Sequence, residues 1–421
     1  MSRLPLLFVL CAGVFAQSVR QTAPDCQNLN NTSASARYRG QSANAPPGNV
    51  SKLPVRSLLY PGATTRIFAR YMPWFGDSHH RDVGYRSDDP QQVARQVADM
   101  LSRGIEGAII DWYGPDSGPK NQSTILLMHQ AEQQGLKFAI STDTGVLGDC
   151  RKRNCDLTAQ LIVVLHYVVE HFASSPAYLR FNARPALFFF GMEKDSINWK
   201  RVRQTLPSEV LFFFRNSAEF NDPEANGVYA WVAPETAGPQ DPMALQYLQR
   251  FYSKARQSDK IVMGSAYKGF NDADANWGKG RTIDQVCGQT WLTTFNEAGR
   301  FYSSSHQLPA LIIPTWNDFE EGTEIETGID NCVAVKAAIT QYTIEWTLSG
   351  REDTLDHFSI LARDGSDWTV VRDVSAALRS IPLRDLHLTA KTTALCVQAV
   401  GQASLLNHAS GPLAYPASRT K

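Results

Sequence analysis

From residue 67 onward the chain alternates short apolar runs with segments in which apolar residues recur every three to four positions. Runs at residues 67–71, 107–112, 136–142, 186–190, 210–214, 227–231, 261–266 and 311–316 are rich in β-branched and aromatic residues, which predicts eight strands. Between them, Val93, Val97, Met100 and Leu101 share one face of a helix predicted at 90–103, introduced by Ser87-Asp88-Asp89. Further helices are predicted at 123–134, 157–171, 243–258 and 289–304. Eight βα units in about 260 residues are what a closed parallel barrel needs, so the expected fold class is α/β, a (β/α)8 TIM barrel. A doubly wound open sheet is the alternative. No glycine-rich phosphate turn follows the first strand, which weakens that alternative and any nucleotide-binding reading with it.

After Gly328 the period changes. Segments at 332–340, 343–348, 357–362, 369–371, 393–399 and 411–414 are short, alternating and separated by turn residues such as Asp364-Gly365-Ser366. They predict an all-β module, a sandwich of the immunoglobulin or fibronectin type III kind, with Trp346 in its core. The expected organisation is a signal peptide at 1–16, a linker or arm at 17–65, the catalytic barrel at 66–328 and the sandwich at 329–417.

The signal peptide rests on the positive charge of Met1-Ser2-Arg3, an apolar stretch over 4–15 and the small-residue site Val14-Phe15-Ala16. It predicts export, to the periplasm or outside the cell. Leu10 before Cys11 is not the small residue that lipoprotein processing favours. No later run approaches the ~20 apolar residues of a membrane span. The 41 basic and 41 acidic residues cancel, so no electrostatic footprint for nucleic acid is present. Beyond Cys11, the six cysteines are Cys26, Cys150, Cys155, Cys287, Cys332 and Cys396, and export permits them to pair. Cys150 and Cys155 enclose four residues and are expected to bridge; the pairing of the others is open, as is the oligomeric state. No histidine or third cysteine lies near that pair, so neither a metal nor any other cofactor is expected. Asn30-Asn31-Thr32 and Asn49-Val50-Ser51 fit the glycosylation acceptor pattern of a eukaryotic secretory pathway.

The chemistry concentrates after the last apolar run, where Thr315-Trp316-Asn317-Asp318-Phe319-Glu320-Glu321-Gly322-Thr323-Glu324-Ile325-Glu326 sets a carboxylate cluster beside Trp316. Glycosidic bonds are cleaved by paired carboxylic acids, one protonating the leaving oxygen and the other assisting attack. Asp318 and Glu321 are the candidate pair. Their Cα atoms would be roughly 10 Å apart in an extended chain and roughly 5 Å apart in a turn, which Gly322 favours. The plainer reading is an acidic solvated loop.

In a TIM barrel, function gathers where strands end. Polar and aromatic residues stand at these ends: Tyr71, Trp74, Asp111, Trp112, Tyr113, Asp143, Asn216, Trp231, Tyr267, Trp316 and Glu320. Each has a plain alternative as a core or capping residue. Together they describe a sugar groove with acids at its base and aromatic walls. The status of Asp116, Asp272 and Asp274, in the groove or in solvated loops, is open.

The segment 317–326 resembles the Asn-Glu-Trp-His-Glu-Gly-Thr-Gln-Ile-Glu motif of the endo-α-1,2-mannosidase family, and Trp316-Asn317-Asp318-Phe319 resembles the Trp-Asn-Asp-Tyr of α-1,3-glucanases (mutanases). Residues 71–75, 104–113 and 135–143 are similar to the first three strand motifs of these families. The likeness spans residues 66–328 in scattered blocks and leaves out the C-terminal module.

That resemblance implies a (β/α)8 barrel and endo-acting hydrolysis of an α-linked polysaccharide or glycan, with no metal. By position, Asp318 would assist attack and Glu321 would serve as general acid/base, keeping the proton as the more buried of the two. Asp318 is one methylene shorter than the mannosidase glutamate, leaving room for a water and favouring inversion, and Glu320 stands where that family has histidine. α-Mannan and α-glucan both remain open as substrates. A non-catalytic glycan-binding protein on the same barrel is the competing class; a calcium-dependent adhesion module lacks the Asp-rich loop it would need.

Overall fold

The computed structural model describes Cys26 and residues 49–415. The predicted signal peptide, the acceptor site at Asn30 and most of the predicted arm lie outside the described residues.

Eight parallel strands close into a barrel: β1 Arg66–Tyr71, β2 Gly107–Trp112, β3 Lys137–Asp143, β4 Arg184–Phe190, β5 Leu211–Arg215, β6 Gly227–Tyr229, β7 Ile261–Ser265 and β8 Ala310–Ile313. Each pairs with the next in sequence, and β8 returns to β1 with Arg66 opposite Ala310. These strands are buried on both faces, which explains their near-continuous apolar character. A two-residue strand, Arg180–Phe181, pairs antiparallel with β4.

The helices are α1 Pro90–Ser102, α2 Pro119–Gln134, α3 Gly148–Lys152, α4 Leu157–His171, α5 Trp199–Thr205, α6 Leu245–Ala255 and α7 Gln289–Gly299. α1 starts where Asp89 accepts a hydrogen bond from the Gln91 amide and Pro90 presets the first turn. α2 begins four residues earlier than its apolar pattern because Pro119 opens it, and it stops at Gly135 in the left-handed region. α5 is too short for a legible period; Asn198 caps it. Only a 3-10 turn, Ser217–Asn221, stands between β5 and β6.

The C-terminal part holds β9 Ala334–Thr340, β10 Thr343–Ser349, β11 Leu355–Asp364, β12 Asp367–Ser375, β13 Ser380–Pro382, β14 Thr392–Gly401, β15 His408–Ala409 and β16 Leu413–Ala414. β9, β10 and β13 form one antiparallel sheet, and β12, β11, β14 and β15 the other, with β16 on β14. Trp346, Phe358, Ile360 and Val397 share the core of these sheets.

Residues 49–65 are built into the molecule rather than draped over it. Val55 and Leu58 join the barrel core, the Val55 amide donates to Arg103, and Arg56 pairs with Glu106, which together close the end of the barrel where the strands begin. Asn49 is buried in the seam with the sandwich, where its side-chain nitrogen donates to the Asn407 carbonyl at 3.0 Å. The same seam holds the Val50–Leu406 bridge and the Trp291 indole, which donates to the Ala403 carbonyl. Disulfides join Cys26 to Cys396, Cys150 to Cys155 and Cys287 to Cys332. The third ties the entry of α7 to the start of the sandwich. No helix among the described residues is long and apolar enough to cross a membrane.

Candidate active site

The chain leaves β8 and folds back on itself at once. The Thr315 amide donates to the Thr323 carbonyl at 3.0 Å, and the Thr315 hydroxyl accepts from the Asp318 amide at 2.7 Å. Asp318 Oδ1 then accepts the Glu320 and Glu321 amides at 3.0 and 2.9 Å, so the acid caps its own turn. Gly322 takes a left-handed φ of 60° in that turn, a conformation a side chain would strain. Asn317 fastens the loop to the barrel, accepting from the Met72 amide and donating to the Met72 carbonyl. Behind it, Arg103 donates to the carbonyls of Ile325 and Glu326, while Tyr85 and Gln96 donate to the Glu326 carboxylate. Burial pushes Glu326 up to about 7.

The turn puts Asp318 and Glu321 on one electrostatic circuit. Asp318 is only 1% exposed, and burial with repulsion from Glu321 holds its carboxyl well above the usual range against the pull of the two amides. Glu321 is half-buried and is also raised by burial; the Trp277 indole, donating to its Oε1 at 3.2 Å, acts the other way. Such a pair takes up protons as a unit. The expectation that Glu321 is the more buried acid is reversed: the shorter side chain of Asp318 is drawn back under the turn, and Glu321 reaches outward. Glu320 faces away from the pair, accepting from His80 Nδ1 at 2.9 Å and from the Arg81 amide at 3.1 Å.

Across the mouth stands a second pair of acids. Asp111 is ion-paired with Arg70 and accepts the Tyr113 hydroxyl at 2.8 Å. Asp143 is pushed up to about 7 by burial and by Asp111, although the Gly145 amide donates to it at 2.6 Å. Arg70 is fully buried, donates to Ser141 at 2.8 Å and lies over the rings of Phe190 and Trp231, 4.0 and 5.2 Å from their centroids.

The aromatic wall is made by Trp74, Tyr113, His80 and Trp277. His80 stacks on Trp74 at 4.5 Å, and Tyr113 and Trp277 approach Trp74 at 6.0 and 5.9 Å. Two clefts open near it. One of about 520 Å³ is lined by Phe319, Glu320, Gly322, Asn271 and Lys268 among others. The other, about 600 Å³, runs from Tyr113 along Asp116 and Gly145 to α4.

The structure therefore gathers Asp318, Glu321, Glu320, Trp74, Asp111, Tyr113, Asp143 and Trp231 around the mouth. Asn216 stands nearby, accepting the Tyr247 hydroxyl, which in turn accepts the Trp231 amide. Four expected groove residues are turned elsewhere. Tyr71 donates to Gln96 of α1, Trp112 donates to Asn121 and stacks on Tyr167, Tyr267 donates to the carbonyls of Met243 and Ala244, and Trp316 is sealed against Arg103. For Tyr71 and Trp112 the reason is strand alternation, which points neighbours to opposite faces. Asp272 is buried against Arg281, whereas Asp116 and Asp274 are exposed. Sequence reasoning missed Arg70, His80 and Trp277. A charge inside the first apolar run was the one available signal, and it belonged to Arg70.

No family model matches the chain. No curated protein matches it. Among solved structures it is similar to the GH99 endo-alpha-mannosidase from Bacteroides thetaiotaomicron, at 19% identity over 63% of this chain and 87% of that chain, TM-score 0.49. It is also similar to a glycoside hydrolase-like protein at 11% identity, covering 69% and 91%, TM-score 0.47. An endo-beta-1,4-mannanase from Thermotoga petrophila follows at 9% identity, covering 85% and 99%, TM-score 0.36. Chains this distant share folds across unrelated activities.

Proposed function

We propose that this protein is an exported glycoside hydrolase that cuts an internal bond of an α-linked glycan, an α-mannan or an α-glucan. The observation that carries the reading is the pair of carboxyls Asp318 and Glu321, both raised by burial, at the strand-end mouth of the barrel beside an aromatic wall, with one cleft reaching Glu320 and another reaching Tyr113. Two such clefts suit a chain that passes through the site rather than ending in it. Three disulfides fit an oxidising compartment.

In this mechanism Glu321, the longer and more exposed acid, delivers the proton to the leaving oxygen. Asp318 assists attack at the anomeric carbon, either through a water or through a sugar hydroxyl, and its two backbone donors hold it in place. Tyr113 and Trp74 bind the sugar together with Asp111, which Arg70 holds in place from beneath.

The test is incubation of the purified protein with α-mannans and α-1,3-, α-1,4- and α-1,6-glucans, following reducing ends and the first-formed anomer by NMR. Release of oligosaccharides from one member is the expected result, and the anomer distinguishes the two routes through Asp318. A second reading, a glycan-binding barrel without turnover, draws on the near-complete burial of Asp318, which suits an acid kept only for its turn. Binding of a panel member without product would favour it.

A further inference from the structure

The segment between β7 and α7 is built to hold one residue over the candidate acid. Phe270–Asn271 and Thr282–Ile283 pair as a short antiparallel ribbon. Its tip is closed by Asp272, which is fully buried and accepts from the Arg281 amide at 2.7 Å and from Arg281 Nε and Nη2 at 2.8 and 2.7 Å. Gly278 lies so close to this turn that a Cβ there would sit 1.7 Å from the Asp272 carbonyl oxygen. The tip is also moored across the mouth: Arg81 pairs with Asp274 at 2.8 Å, and Asn276 donates to the His79 carbonyl at 3.2 Å. The base is moored to the acid itself, because the Asn271 amide donates to the Glu321 carbonyl at 2.8 Å.

What this scaffold presents is Trp277. The residue is 42% exposed. Its ring meets Trp74 and His80 edge-on at 5.9 and 6.1 Å, and its Nε1 donates to Glu321 Oε1. An indole left partly open while its N–H is held on an acid is a stacking surface for the apolar face of a pyranose.

We propose that the 272–281 loop is a clamp in which Trp277 does two things at once: it stacks on the sugar next to the scissile bond and it positions Glu321 through its indole N–H. The first part rests on the glycosidase reading; the second does not. Trp277 is thus a sugar-binding residue and a positioning residue for the acid.

Two substitutions separate the parts. Trp277→Phe keeps a stacking ring and removes the N–H; Trp277→Ala removes both. The first measurement is a 13C titration of the Glu321 side-chain carboxyl in the free protein, assigned against Glu321→Gln. Loss of a donor to the carboxylate favours its protonated form, so both variants should titrate at higher pH than the wild type. An unchanged midpoint in both overturns the positioning role, whatever the protein's activity. The second is kcat and KM across pH on the polysaccharide the wild type cleaves. Trp277→Phe should move the alkaline limb upward and lower kcat about 10-fold at the wild-type optimum, with KM little changed. Trp277→Ala should raise KM about 10-fold further. Equal KM for both variants overturns the stacking role. Should the wild type cleave nothing, stacking is read by calorimetry with α-1,3-linked glucotetraose and α-1,2-linked mannotetraose. Binding of either sugar by Trp277→Phe and not by Trp277→Ala supports stacking, and no binding by wild type overturns it. Circular dichroism of Trp277→Phe and Trp277→Ala against wild type checks that their losses are not losses of the barrel.

Discussion

Two pairs of acids face each other across the barrel mouth, and they are compensated in opposite ways. Asp111 and Asp143 have Arg70 among them, a buried cation in ion-pair contact with Asp111. Asp318 and Glu321 have only neutral donors, two backbone amides and an indole, and no cation stands within ion-pair distance of either among the described residues. A guanidinium favours the charged form of a carboxylate more than a neutral N–H does, yet burial holds Asp111 above the usual carboxylate range even beside Arg70, as it does Asp318 and Glu321. All four carboxyls are raised, so access is what separates the pairs: half-buried Glu321 can reach a bound sugar to deliver a proton, whereas Asp111 is sealed against Arg70 in a rigid wall.

The sharpest way to break that sorting is to neutralise each pair in turn. Glu321→Gln keeps shape and loses the proton, and hydrolysis of the responsive polysaccharide should fall by about 10²–10⁴-fold with binding retained. Asp318→Asn should do the same while its side-chain oxygen still caps the turn, so an active Asp318→Asn variant would reduce that acid to a structural role. On the other wall, Arg70→Met leaves Asp111 buried without its cation, and urea denaturation should show a loss of about 3–5 kcal/mol. Adding Asp111→Asn to it should restore part of that loss, since the stranded charge is gone.

The smallest effect concerns Asp143. Its carboxyl is raised from the usual carboxylate range to about 7 in the folded protein, so the native state holds its proton more tightly than the unfolded chain. The stabilisation this gives is complete below the unfolded value near 4 and is lost as pH rises through about 7. Asp143→Asn should therefore flatten the pH dependence of stability between these limits, by an amount on the order of 1–3 kcal/mol in urea titrations. A slope identical to wild type would mean that the folded protein does not hold the Asp143 proton more tightly than the unfolded chain does.

The same comparison shows what the chain discloses before it is folded. All eight barrel strands were legible, because strands buried on both faces are marked by apolar runs that no helix period imitates. Short α5 was not, having too few turns to repeat a pattern. At the site, the acids of the β8 loop were legible because charge crowds after an apolar strand, whereas the facing of aromatic residues was judged from strand ends alone. Asp111 and Trp112 are neighbours in one strand, and only one can face the interior. The same rule sets Arg70 inward when Tyr71 points to α1. Trp277 and His80 lie in loops without period, and only the closure of the barrel brings them to the acid.

The buried amide of Asn49 sets an order of events. Its sequence fits the acceptor pattern for N-linked sugar, but in the finished protein the residue is buried in the seam between barrel and sandwich, with its side-chain nitrogen on the Asn407 carbonyl. Modification and closure of the seam are mutually exclusive. A transferase would have to reach this asparagine before the seam closes over it.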